Sequence, residues 1–252
     1  MFIDSHCHLD LLSQYISIEK GIDNAAKYGI TKFINPALYQ SHWKQLIALE
    51  KLHNSIKIGL GLHPCFISRH SLVDLEYLDQ LIISNNIKFI GEIGMDKRFI
   101  NNYEEQEVYF IEQLKIAKKH EIPVILHSVK SNSEIIRIIK LTQFKNGGII
   151  HAFNGSIEEA IQFIHLNFKL GIGPICTYPH NKKIKNIIEN ISLNNLVIET
   201  DSPDMKFYNN KKAYSEPANL IKVFNIICKK RKESLYEIQE ILWHNTHKTL
   251  NL

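Results

Sequence analysis

The sequence predicts an α/β protein, a single (β/α)8 TIM barrel of parallel strands covering residues 1–252. Two observations carry that expectation. Short apolar runs alternate with helix-period segments along the whole chain, the order that right-handed βαβ crossovers require. Five of those runs, the first, fourth, fifth, sixth and eighth, end in an ionisable residue. A doubly wound open sheet gathers its ligands in the crevice where strand order reverses, whereas a closed barrel brings distant strand ends to one mouth. No linker, internal repeat or low-complexity stretch marks a second domain.

The elements follow in order. A strand near 2–7 leads to an amphipathic helix near 19–28, a strand near 31–36 to a helix near 40–53, and a strand near 56–62 to a helix near 73–85. The fourth strand, near 88–93, precedes a helix near 103–120. The fifth, near 123–127, contains the unbroken apolar run Pro123–Leu126, as a parallel strand buried on both faces should. A helix near 131–142, a strand near 148–152 and a helix near 156–166 come next, then a strand near 168–173 and a helix near 182–190. The eighth strand, near 195–200, holds the apolar Leu196–Ile198 and is followed by helices near 216–230 and 234–247. Gly61-Leu-His-Pro-Cys65 and Ser202–Tyr214 read as loops of the mouth, with Ser215 expected as an N-cap and Pro217 tolerated in the first helical turn.

Composition narrows the class. The chain is 44% hydrophobic and 22% charged, an ordinary globular balance. No apolar run approaches the length that spans a bilayer, and the chain begins a strand at once, without a basic segment and a cleavable apolar region. A cytoplasmic protein without membrane attachment is expected. Cys7, Cys65, Cys176 and Cys228 are far apart and form no C-x-x-C pair, so they read as reduced thiols. A net charge of +4 suits a polyanionic substrate and equally suits none. Nothing names an obligatory protein partner, and a monomer is expected.

The ionisable residues carry the chemistry. His6 and His8 stand two apart, and on a strand side chains at i and i+2 share a face, so both imidazoles converge while Cys7 turns away. Glu92, His127, His151 and Asp201 each end a later apolar run. Such residues on buried strands are costly unless paired or coordinated, and their recurrence at equivalent places points to a metal centre. His63 ends the third run and is expected near the mouth, as a candidate substrate-binding residue that contacts phosphate or leaving group, or equally as a rim histidine making structural hydrogen bonds. Lys206 and Tyr208, in the loop that also holds Phe207, Lys211, Lys212 and Tyr214, are candidates to grip phosphates and stack bases. The remaining histidines read as surface residues.

Assembled in order, these segments resemble the TatD-type metal-dependent hydrolases, a deoxyribonuclease family. The resemblance runs through Phe-Ile-Asp-Ser-His-Cys-His at 2–8, Gly-Leu-His-Pro at 61–64 and Gly-Glu-Ile-Gly-Met-Asp at 91–96. It continues through Pro-Val-Ile-Leu-His-Ser at 123–128, His-Ala-Phe-Asn-Gly at 151–155 and Glu-Thr-Asp-Ser-Pro at 199–203. It implies two divalent cations, one on His6, His8 and Asp201, the other on His127 and His151, with Glu92 between them. Glu104, Gln106, Phe110 and Gln113 also match, at spacings that suit helix packing and capping. Four departures stand out. Val129, followed by Lys130, occupies the place of a usual arginine, and Cys65 that of a frequent second histidine. Ala152 and Asn154 replace a cysteine and a serine, and Ser215 stands where an asparagine is common.

The expected chemistry follows from charge. Two divalent cations, less two carboxylates and a hydroxide, leave about +1, which favours an anionic group such as a phosphodiester. Water attack on phosphorus, with Asp201 accepting the proton, gives a DNA phosphodiesterase working from strand ends, with DNA or another phosphodiester as partner. The ligand set admits Zn, Mn or Mg, with four imidazoles disfavouring Mg. The alternative is hydrolysis of an ester or amide, as in other amidohydrolases or an aminoacyl-tRNA deacylase.

Overall fold

The computed structural model describes residues 1–252. Its inner wall is eight strands: β1 (Phe2–Asp4), β2 (Ile30–Pro36), β3 (Ile56–Gly59), β4 (Ile90–Asp96), β5 (Val124–Val129), β6 (Gly148–Ile150), β7 (Phe168–Ile172) and β8 (Leu196–Ile198). The outer layer is α1 (Leu9–Leu12), α2 (Ile18–Ala26), α3 (Trp43–Leu52), α4 (Leu72–Ser84), α5 (Tyr103–Lys119), α6 (Asn132–Thr142), α7 (Ile157–His165), α8 (Lys182–Asn190), α9 (Leu220–Lys230) and α10 (Leu235–Thr249). All strand pairs are parallel, in the orders β1-β2-β3 and β4-β5-β6-β7-β8. A parallel bridge between Leu60 and Ile90 joins β3 to β4. At the other seam Ser5 N–H donates to Ile198 O at 3.0 Å, and Asp201 N–H to His6 O at 2.8 Å. Those two seams close the barrel.

Two apolar layers support it. Ile3, Ile34, Phe89, Ile125, Ile149, Val197 and Leu250 form a separate buried cluster, to which five strands contribute and which the residue after α10 joins. Phe89 fits because β3 offers Gly59 opposite it, where a Cβ would lie 2.3 Å from the ring. The larger cluster lies between wall and helices, and Trp43, Phe110, Phe163 and Phe168 are buried in it. Helix starts are fixed locally. Ser156 with Glu159, and Ser234 with Glu237, form reciprocal capping boxes on α7 and α10. No helix is long and apolar enough to cross a membrane.

The barrel matches the sequence expectation, while several boundaries differ. β1 and β8 end early, at Asp4 and Ile198, because the Asp4 side chain takes over from the ladder. Its carboxylate accepts Thr200 N–H at 2.9 Å and the Thr200 hydroxyl at 2.5 Å. β4 runs on to Asp96, which pairs with Val129. α9 starts only after a tight turn at Pro217–Asn219, and Ser215 does not cap it. The Ser215 carbonyl instead accepts the Ser202 hydroxyl at 2.8 Å, fastening the last mouth loop.

Burial pushes the Asp4 carboxyl well above the usual carboxylate range. A raised folded-state value means that the group's contribution to stability is present below about pH 4 and is lost as pH climbs through the folded value. Asp4→Asn keeps an acceptor for Thr200 and does not titrate. In chelator-treated protein its unfolding free energy relative to wild type, from urea curves, should therefore rise steadily above about pH 4. A difference independent of pH would remove that assignment.

Candidate metal centre

Six side chains from five strand ends converge at the mouth, all of them buried. The Nε2 atoms of His6 and His8 lie 3.2 Å apart. Glu92 Oε2 is 3.1 Å from the first and 3.7 Å from the second, and Asp201 Oδ1 is 3.5 Å and 3.6 Å from them. The other oxygen of Glu92, Oε1, is 2.8 Å from His127 Nδ1 and 2.8 Å from His151 Nε2, and those two nitrogens are 3.2 Å apart. His6 and His8 thus converge as expected, though not as neighbours on a strand. They lie past the end of β1, and Cys7 between them is buried in the core with its N–H on Ile34 O.

The charges reinforce one another. Burial alone raises a carboxyl, yet the imidazoles of His151, His63, His6 and His127 hold Glu92 well below its usual range. Asp201 has less help, and burial pushes it up to about 8. The Asp201 backbone is left-handed, with φ 48°, which turns its side chain back over the centre. His63 is a donor. Cys65 N–H donates to its Nδ1 at 3.1 Å, so the neutral ring carries its proton on Nε2, 3.1 Å from Glu92 Oε1. Burial lowers His63 to about 4, which keeps the ring neutral.

A supporting layer went unread in the sequence. Asp96 Oδ2 accepts from His127 Nε2 at 2.9 Å, from Cys65 Sγ at 3.2 Å and from Arg98 Nη2 at 2.5 Å. Gln106 pairs with both backbone groups of Asp96, at 2.7 and 3.2 Å, and Gln113 does the same for Leu62, next to His63, at 2.7 and 3.2 Å. These glutamines of α5 do more than pack a helix, because they fix the two wall segments that carry Asp96 and His63. Among the histidines expected at the surface, His42, His53, His70, His120 and His247 are half-buried, and His120 bonds Asp79 at 2.6 Å.

The mouth encloses about 820 Å³, and His8, His63, Glu92, His127, His151 and Asp201 line it. Its cations are Arg98, Lys130 and Lys183. Lys206 and Tyr208 do not line it. The Lys206 carbonyl accepts from Tyr178 Oη, Tyr208 N–H binds Thr177, and Phe207 between them is buried in the core.

A closed βα barrel with histidines and carboxylates gathered at its C-terminal mouth has the architecture of a metal-dependent hydrolase. The family model described as TatD related DNase matches residues 3–251, and the chain belongs to that family. It is 34% identical to YjjV, an uncharacterized metal-dependent hydrolase of Escherichia coli K12, over 100% of this chain and 98% of that one. An uncharacterized metal-dependent hydrolase of Haemophilus influenzae is 30% identical, over 97% of each. The crystal structure of YjjV superimposes with a TM-score of 0.93 at 33% identity, covering 100% of this chain and 98% of that chain. A TatD family hydrolase from Entamoeba histolytica shares the fold, with a TM-score of 0.84 at 21% identity over 99% and 97%.

Asp96 orients the His127 ring from behind. Asp96→Asn removes the ionic acceptor at nearly constant volume and should weaken divalent-cation binding about 10–100-fold, read by competition with a chelator. Unchanged affinity would separate Asp96 from the centre.

Proposed function

We propose that this barrel hydrolyses phosphodiester bonds in DNA, working from strand ends, with two divalent cations held at the mouth. The observation that carries the reading is the division of Glu92, with one oxygen facing His6, His8 and Asp201 and the other facing His127 and His151. The donor atoms fit such ions. Around a tetrahedral cation with ligands at about 2.0 Å the donors stand about 3.3 Å apart. Five donor separations on the His6 side run from 3.1 to 3.7 Å. On the other side Glu92 Oε1, His127 Nδ1 and His151 Nε2 stand 2.8 to 3.2 Å apart and would hold the second cation.

A pair of divalent cations supplies Lewis acidity and eases the deprotonation of water. The chain's own groups do the rest. Asp201 lines the cavity, and its carboxylate accepts the proton of the attacking water. His63 steadies Glu92 through its Nε2 proton and stays neutral, so it adds no charge against the cations. Lys130, just after β5, and Lys183, in the first turn of α8, line the cavity and bind flanking phosphates, the role the sequence had suggested for Lys206. A barrel mouth admits a frayed strand end more readily than the middle of a duplex.

Metal-reconstituted protein should release nucleotides from end-labelled single-stranded DNA, and Glu92→Ala should abolish release. Comparing 3′ and 5′ labels gives the polarity. If wild type with its cations bound releases nothing, the reading is wrong and ester or amide substrates take its place. Lys130→Ala and Lys183→Ala should each raise KM several-fold with kcat nearly unchanged, and each should flatten the salt dependence of binding by about one unit of slope. An unaltered KM would place the phosphate grip elsewhere.

A further inference from the structure

Glu199 is a buried carboxylate to which the reading above gives no part. It lies behind the centre. The rings of His6 and His151 stack with centroids 4.0 Å apart and planes at 16°. Their Nε2 atoms both face Glu92, at 3.1 and 2.8 Å, so their Nδ1 atoms face the other way. His6 Nδ1, His151 Nδ1 and Glu199 Oε2 are all buried without a hydrogen-bond partner. The three residues nevertheless offer atoms within 4.8 Å of one another. Glu199 Oε1 is 3.7 Å from His151 Nδ1 and accepts Ala152 N–H at 2.5 Å.

The wall is shaped to admit this carboxylate. On β7 a Cβ at Gly171 would stand 2.3 Å from Glu199 Oε2, and just beyond the strand one at Gly173 would stand 3.4 Å from its Cγ. The Gly171-Ile-Gly173 spacing thus leaves one face bare where Glu199 crosses.

We propose that Glu199 is the shared orienting carboxylate of the centre, accepting the Nδ1 protons of His6 and His151 directly or through one water, and so tying the two cation positions to one anchor. The proposal rests on the two-cation reading. An imidazole that offers its Nε2 lone pair to a cation carries its proton on Nδ1, and a buried N–H needs an acceptor. His151 Nδ1 stands 3.7 Å from Glu199 Oε1, and the unpartnered His6 Nδ1 belongs to the same group of three buried residues as the unpartnered Glu199 Oε2, so each group can supply what the others lack. The same protons exclude a third cation there, because both Nδ1 lone pairs are used by hydrogen. Glu199 touches no substrate. It is a positioning residue.

Glu199→Gln keeps the volume but replaces one acceptor oxygen with an amide NH2 that meets N–H donors. Gly171→Ala keeps the charge but displaces the carboxylate. Zinc binding by both, measured by chelator competition, should weaken about tenfold or more relative to wild type. In the zinc-loaded protein, nitrogen-15 NMR should find Nδ1 protonated on both rings of wild type, with those proton resonances shifted or lost in Glu199→Gln. Melting of the chelated proteins separates orientation from folding, since a merely structural role lowers the metal-free Tm and leaves the Nδ1 resonances and zinc affinity in place. Wild-type zinc affinity and unmoved resonances in Glu199→Gln overturn the proposal. A wild type that binds one cation overturns the two-cation reading alone, and Glu199 is then judged on that cation's affinity. A wild type that binds none overturns both.

Discussion

The structure depends on one carboxylate held among four imidazoles. Glu92 is buried, and burying an ionised carboxyl costs several kcal/mol unless partners compensate. Its compensation comes from His6, His63, His127 and His151, each delivered by a different strand end. A two-layer sheet could place two or three such groups at one point. Only a closed ring of parallel strands, all pointing their C-terminal ends the same way, places this many around a single residue. The seams at Leu60–Ile90 and Ser5–Ile198 therefore belong to the chemistry as much as to the fold.

Around that residue the chain builds a second ring that touches no substrate. Asp96 stands behind His127, Glu199 behind His151, and Cys65 N–H behind His63. Gln106 and Gln113 reach inward from α5 and pair with the backbone at Asp96 and Leu62, acting as substitute strand neighbours where the ladder has ended. Asp96 and the Cys65 N–H thereby set the tautomers of His127 and His63, and with them which atom of each ring faces the mouth.

How much of this was legible in the sequence depends on range. His6, His8, Glu92, His127, His151 and Asp201 stand out because each interrupts or ends an apolar run, a local signal. The barrel followed from the same runs. Gln106 and Gln113 gave no such signal, since their partners lie 10 and 51 residues away and a glutamine at helical spacing looks like packing. Glu199 sat two residues from Asp201, and strand alternation alone does not say that the wall opposite it is bare glycine. The strand argument for His6 and His8 reached the right convergence by a route the chain does not take. Lys206 and Tyr208 stand out by composition, and composition does not reveal that the intervening Phe207 is buried in the core and that only Asp204 and Met205 of this loop's first half line the cavity.

Three of the four departures from the family pattern, at Val129, at Cys65 and at Ala152 with Asn154, line the cavity, where Lys130 and Arg98 also stand, whereas Ser215 is buried outside it. The Cys65 thiol, pushed up to about 12 by burial and by its contact with Asp96, donates to Asp96 Oδ2 at 3.2 Å. It therefore joins His127 and Arg98 as a donor to the carboxylate behind the centre. Arg98 is drawn tight against Asp96, while Lys130 reaches the wall from a left-handed residue just past β5. A point charge on a flexible stem has replaced the rigid fork that an arginine at position 129 would present. On the phosphodiester reading, such a wall would hold a phosphate by charge without the bidentate geometry that fixes its orientation. The histidines and carboxylates at the centre match the family pattern, so the departures leave those groups in place.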